Sequence, residues 1–135
     1  MLAKQFRSTL FKRCFNLLCE RKFKSYIIEN NEQFIQNVMN NPVPVIVNFH
    51  AEWCEPCHLL TPQLKKLLGD SDLIDLAIID VEKNAELVHT FEVKAVPAVL
   101  AVKNGLVIDK FIGLIETDMI ENMVFKLLPK DKTKP

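Results

Sequence analysis

Residues 45–60 read VIVNFHAEWCEPCHLL, and most of the fold follows from how this stretch is parsed. Val45 to Phe49 is β-branched, almost continuously apolar and preceded by Pro42 and Pro44. That is the composition of a central strand buried on both faces. Leu59 to Leu68 carries a helical pattern that stops at Gly69, so Cys54 and Cys57 fall where a buried strand ends and a helix begins. At such a junction the free backbone N–H groups and the helix dipole favour an anion on the first cysteine. A lowered thiol pKa makes Cys54 a nucleophile near neutral pH. Cys57, one helical turn on, is close enough to resolve a mixed disulfide, Pro56 restrains the turn between them and Trp53 shields one side.

The same residues also fit the C-x-x-C-H spacing of c-type haem attachment, with His58 as axial ligand. That reading needs an apolar pocket and a sixth ligand. Downstream of the first 24 residues, Met39, Met119 and Met123 are the only methionines, and an α/β pattern leaves little room for a macrocycle beside a central strand. Structural zinc wants four ligands, whereas Cys54, Cys57 and His58 supply three. Neither metal nor bound cofactor is therefore expected. His58 is left as an exposed side chain on the first turn, adding positive charge near the thiolate when protonated.

Outward from this centre, strand and helix signals alternate. Tyr26 to Ile28 is a short apolar run. Asn31 to Met39 places Phe34, Ile35 and Val38 on one face, with Asn31 as the expected N-cap. Pro62 lies inside the helix after the dithiol and should kink it. Leu73 to Val81 reads as a second central strand and Ala85 to Phe91 as a short helix. Ala98 to Val102 and Leu106 to Ile112 flank Asn104-Gly105, a strong hairpin signal. Thr117 is the expected cap of a last helix carrying Ile120, Val124, Leu127 and Leu128. The order β-α-β-α-β-α-β-β-α predicts an α/β protein, a central mixed sheet flanked by helices on both faces. Asp70, Asp72 and Asp75 read as a solvated loop, and His50 and His89 are assigned no chemistry.

The chain has 135 residues, one domain's worth, with 17 basic and 17 acidic side chains. Their distribution is uneven. Residues 1–24 hold seven Lys/Arg and one acid, leaving ten basic against sixteen acidic beyond. This acid-poor segment repeats Leu2, Phe6, Leu10 or Phe11 and Leu17 or Leu18 at helical spacing, the pattern of a mitochondrial transit peptide to be removed. Charges interrupt every run that would serve as a secretory core, and no stretch approaches the roughly 20 apolar residues of a membrane span. The expected organisation is leader 1–24, folded domain 25–131 and a frayed basic tail 132–135. Removal of Cys14 and Cys19 with the leader leaves a single thiol pair. Nothing in the charge balance suggests nucleic acid.

In this order and spacing, several motifs together resemble the thioredoxin family, and within it the mitochondrial members, over about residues 26–128. They are Phe49-His50-Ala51-Glu52-Trp53-Cys54, the C-x-x-C itself, Pro62, Ala95-Val96-Pro97, Lys103-Asn104-Gly105 and Lys110-Phe111-Ile112-Gly113. The resemblance implies the thioredoxin fold and protein-disulfide reductase activity. It implies Cys54 as the exposed attacking thiol and Cys57 as the buried resolving one, cycling through a Cys54–Cys57 disulfide. Pro97 would be cis and face the dithiol, and Trp53, Val96 and Gly113 would border an apolar groove for substrate chains. The implied setting is the mitochondrial matrix, with a monomer re-reduced by an NADPH-dependent flavoprotein thioredoxin reductase and serving peroxiredoxin and other disulfide-containing proteins.

Three positions depart from the family pattern. Glu55 stands where glycine is usual, and its carboxylate raises the Cys54 pKa modestly against the helix terminus. Asn48 stands where the family carries a buried Asp that helps deprotonate the resolving thiol, so general-base assistance is lost. Ile78 aligns with the Lys that faces that Asp, and the pair is replaced as a unit, which avoids an unpartnered buried charge. The expectation is a stable neutral core and slower turnover. The alternatives are an oxidase or isomerase with weak reductase activity, distinguished by reduction potential, and a peptide-binding module that uses its thiols little.

Overall fold

A computed structural model of the chain describes residues 21–113 and 115–129. Most of the expected leader and all of the expected tail 132–135 lie outside the described residues. In chain order the elements are β1 (Ser25–Ile28), α1 (Asn31–Phe34), continued as a π-helical turn over Ile35–Met39, β2 (Val45–His50) and α2 (Glu55–Gly69). They continue with β3 (Asp75–Asp80), α3 (Ala85–Thr90), β4 (Ala98–Lys103), β5 (Leu106–Ile112) and α4 (Thr117–Leu127). The sheet order is β1-β3-β2-β4-β5. β1, β3 and β2 run parallel, β4 is antiparallel to β2, and β5 is antiparallel to β4. The β2 strand therefore sits at the centre, and the dithiol is carried at its C-terminal end.

The period-2 geometry of a strand sends alternate side chains of β2 into two separate cores. Val45, Val47 and Phe49 join Phe34, Val38, Leu87, Val93 and Leu100 under α1 and α3. Ile46 joins Leu60, Leu64, Leu68, Leu76, Ile78, Ile120, Met123 and Leu127 under α2 and α4. Asn48 points to this second side, at the level of Ile78 on β3 and Val99 on β4. An unbroken apolar run is what such two-sided burial requires. Asn104 (φ 53°) and Gly105 (φ 74°) both take the left-handed conformation at the β4–β5 turn, as a tight two-residue hairpin needs.

Three sequence expectations are corrected here. The cap of α1 is Asn30, whose side chain accepts from the Gln33 N–H at 2.8 Å, rather than Asn31. Thr117 is the first residue of α4 and not its cap: Glu116 occupies the cap position without a side-chain hydrogen bond. Asp75 does not belong to a solvated loop. It is fully buried at the start of β3 and accepts from Arg21 Nη2 at 2.8 Å, Asn41 Nδ2 at 2.9 Å and the Lys24 N–H at 3.2 Å.

The same contacts show that residues 21–24 are packed chain. Arg21 also donates to the Asp72 carbonyl, the Leu76 N–H donates to the Lys24 carbonyl, and Phe23 lies against the core beneath α2. Arg21, Phe23 and Lys24, which fall within the expected leader, are thus in contact with the sheet and its core.

Candidate functional site

Cys54 closes the N-terminus of α2, a 15-residue helix with Pro56 in its first turn. The Cys54 backbone is extended (φ −90°, ψ 103°), which turns its side chain back over the helix end, and its Sγ accepts the Cys57 N–H at 3.3 Å. A sulfur placed on an otherwise unpaired helical N–H stands where negative charge is stabilised by hydrogen bonding and by the helix dipole. Cys54 and Cys57 are joined as a disulfide, with Cα atoms 5.3 Å apart.

Both cysteines are buried in this form, Cys54 at 4% exposure and Cys57 at 1%, in a small cluster with Ala51, Val81 and Val96. The expected exposed Cys54 is corrected accordingly. Its sulfur is turned inward onto Cys57 and the helix end, and little of it faces solvent.

The surroundings of the dithiol are apolar and open. Trp53 is 68% exposed, with its indole N–H bonded to Glu82 Oε1 at 2.9 Å, which holds the ring beside the motif. Trp53, Val81, Val88, Val93 and Val96 line a shallow groove of about 220 Å³ on one side. On the other side Pro56, Leu59, Leu60, Gln63, Pro97 and Ile115 line one of about 180 Å³, and Leu59 is 74% exposed. The Val96–Pro97 peptide is cis. Gly113, left-handed at φ 100°, lines neither groove. Its N–H donates to the Pro97 carbonyl at 2.8 Å and ties the end of β5 to this loop.

The Lys110 ammonium binds the Phe91 carbonyl, and more weakly the Glu92 carbonyl, at the foot of the loop that leads to Pro97. Glu55 is exposed on the outer side of the motif. His58 is exposed too, and its Nε2 lies 2.7 Å from the Glu52 carbonyl. A carbonyl can only accept, so this nitrogen carries the proton. His50 follows Asn48 along the same face of β2. Burial lowers its pKa first, His58 and Lys83 push the same way, and Asp80 and Glu52 oppose.

Asn48 is completely buried behind the dithiol. Its Nδ2 donates to Thr61 Oγ1 at 2.9 Å, and Thr61 Oγ1 donates to the Cys57 carbonyl at 3.1 Å. Thr61 was not singled out from the sequence. The available signal was its place four residues after Cys57 on one helix, where a hydroxyl can bond back to the i−4 carbonyl. Glu82, which holds Trp53, comes from a turn 29 residues away and had no local signal.

A family model described as Thioredoxin matches residues 25–126. The chain is 38% identical over 105 residues to "Thioredoxin, mitochondrial" of Mus musculus, covering 77% of this chain and 63% of that protein. It is 39% identical over 102 residues to "Probable thioredoxin-2" of Caenorhabditis elegans, covering 75% and 70%. The match thus spans just under two thirds of the mammalian relative's length. Among solved structures, a reduced thioredoxin pre-protein of Schistosoma mansoni superposes with a TM-score of 0.67 at 27% identity, covering 78% of this chain and 99% of that one. A mutant thioredoxin from Halobacterium salinarum superposes at 0.70 and 24% identity, covering 77% and 90%, and supports the fold alone.

Proposed function

Because this chain belongs to the thioredoxin family, we propose that it is a protein-disulfide reductase working by dithiol–disulfide exchange. The observation that carries the reading is the placement of Cys54 Sγ on the helix N–H of Cys57, between two open apolar grooves. The helix terminus supports a Cys54 thiolate in the reduced state. That thiolate attacks one sulfur of a client disulfide, forming a Cys54–client disulfide and releasing the other client sulfur as a thiolate. Cys57, as thiolate, then attacks Cys54 Sγ. The intramolecular disulfide forms, the second client thiolate leaves, and two electrons have passed to the client, whose thiolates take protons from water.

Trp53, Val96 and Pro97 supply the surface on which an extended client chain is held near Cys54, and Gly113 acts through its hydrogen bond to Pro97. Glu55, Pro56, His58 and Asn48 tune the dithiol. The family needs no bound cofactor. Electrons come from an NADPH-dependent flavoprotein thioredoxin reductase, and peroxiredoxin and other disulfide-containing proteins are the clients. The basic residues 1–20 and the mitochondrial relatives support removal of a leader and work in the mitochondrial matrix. We place the start of the folded domain at Arg21 rather than residue 25, since Asp75 depends on Arg21 and on the Lys24 amide.

The test is to equilibrate the full chain in defined glutathione buffers and quantify the oxidised pair by alkylation and mass. A potential of roughly −270 mV is expected for a reductase. A value of about −180 to −120 mV would assign isomerase or oxidase work instead.

A further inference from the structure

The groove beside Pro97 does not stop at the dithiol. Gln63, which lines it, also lines a larger cleft of about 410 Å³ further along the same helix. Lys66, Leu67 and Asp70 of α2 form one wall of this cleft, and Thr117 and Ile120 of α4 form the other. On α2 the residues Leu59, Gln63, Lys66, Leu67 and Asp70 recur at intervals of three and four, so they share one stripe of the helix. The stripe begins beside the dithiol with Leu59, 74% exposed, and passes over a floor made by half-buried Leu67 and buried Ile120. Gln63, Lys66, Asp70 and Thr117 are exposed along its rim. Neither Lys66 nor Asp70 belongs to the ion pairs of the described residues, Arg21–Asp75 and Lys126–Asp109.

A narrow apolar floor edged by donors and acceptors suits an extended polypeptide, whose side chains meet the floor and whose amides meet the rim. The occupant follows from where the cleft begins. A client with its disulfide at Cys54 already has its chain against Leu59 and Pro97, and the cleft is the next surface along. We propose that the cleft between α2 and α4 is a second docking site for the client. The chain on one side of the client disulfide leaves the Pro97 groove, passes Gln63 and lies extended between Lys66, Leu67 and Asp70 on one wall and Thr117 on the other. From Leu59 to Asp70 the helix rises about 16 Å at about 1.5 Å per residue, the span of about five residues of extended chain. The favoured clients carry their disulfide beside an unfolded or loosely held segment of about that length, with an apolar side chain for Leu67. This contact is made before and during exchange alike, so it lowers the client concentration required and leaves the sulfur chemistry unchanged. The inference rests on the dithiol-exchange reading and adds which clients that chemistry favours.

The test uses the full chain, reduced beforehand, and a small peptide ring closed by a disulfide. The ring carries no arm, or an arm of about six alternating leucines and threonines on its N-terminal or its C-terminal side, long enough for the cleft. Half-saturating concentration and maximal rate of peptide reduction are followed by alkylation and mass. One arm, and only one, should lower the half-saturating concentration about tenfold and leave the maximal rate within about twofold. Thr117→Trp and Lys66→Trp fill the cleft from exposed positions on opposite walls, and each should return the armed peptide to the half-saturation of the bare ring. A benzophenone at the end of the favoured arm gives a reading on the parent alone, and light should attach it to residues 63–70 or 117–120. Attachment elsewhere, no gain from either arm, an equal gain from both, or a gain that survives both tryptophans would overturn the inference. A parent chain that reduces none of the peptides would overturn the dithiol-exchange reading itself, and this inference with it.

Discussion

The two ends of β2 and β3 bury polar groups in opposite ways. At one end Asp75, with no exposure, has three donors from two separate segments: Arg21 and Lys24 from one, Asn41 from the other. At the other, beneath the dithiol, Asn48 is equally buried, uncharged, and bonded through one of its two polar atoms. A buried charge is tolerable only when partnered, and a partnered one ties the partners' segments together. The Asp75 end therefore behaves as an anchor. The Asn48 end leaves one acceptor, Oδ1, without a partner among the described residues. Complete satisfaction marks the structural end of this sheet, and incomplete satisfaction marks the chemical one.

The sharpest way to break the contrast is to remove the anchor. A chain beginning at Ser25 loses both Arg21 and the Lys24 amide. Its stability toward urea should fall by about 4 kcal/mol, the usual cost of stranding a buried ionic group. The dithiol equilibrium should stay within about twofold of the full chain. An equal stability in the two chains would show that Asp75 needs neither partner.

Next in size is making the two ends alike by placing a charge under the dithiol. Asn48→Asp puts a carboxylate between Ile78 and Val99, facing a Thr61 hydroxyl whose one proton already goes to the Cys57 carbonyl. Burial raises the folded-state pKa of such a group, so the deficit is absent at low pH and grows as pH rises past the carboxylate range. About 3 kcal/mol should be lost at neutral pH, with no gain in turnover of a disulfide substrate. Faster turnover with unchanged stability would refute the view that Asn48 and Ile78 form a matched neutral pair.

Arg21→Met is a milder cut. The arginine side chain is 26% exposed, and Asp75 keeps its two other donors, so about 2 kcal/mol is expected in the same urea experiment. The smallest effect concerns His50, on the Asn48 face of β2. Its folded pKa is lowered, chiefly by burial. Its contribution to stability is thus fully present above the ordinary histidine value of about 6.5 and is lost as pH falls through the folded value. The melting temperature should decline from pH 7 toward pH 5, and His50→Gln should flatten part of that decline. Identical pH profiles for parent and variant would remove His50 from the account.

Much of this was readable from spacing. The run from Val45 to Phe49, the C-x-x-C at its end and Asn104-Gly105 between two apolar segments fixed strand, site and hairpin, because each signal is local. Cap positions slipped by one residue at Asn30 and Glu116, where neighbouring polar residues compete and backbone angles decide. Asp75 reads as part of an acidic loop, although it falls inside the run Leu73 to Val81, because its partners lie 34 to 54 residues away along the chain. The Asn48–Thr61 bond escaped for a related reason. It joins a strand to a helix, and only the packing of α2 on β2 brings them within reach. An exposed Cys54 is what the family resemblance implies, whereas in the disulfide form the residue is 4% exposed. The disulfide turns its sulfur inward.

The central position of β2 has a consequence for amide hydrogen exchange. Opening free energies in a sheet rise from edge to centre, so the edge strands β1 and β5 should lose protection first. The amides of Ile46 to Phe49, paired with β3 on one side and β4 on the other, should exchange last. The dithiol hangs from the end of that slowest segment. Its seat is set to survive fraying at either margin of the sheet.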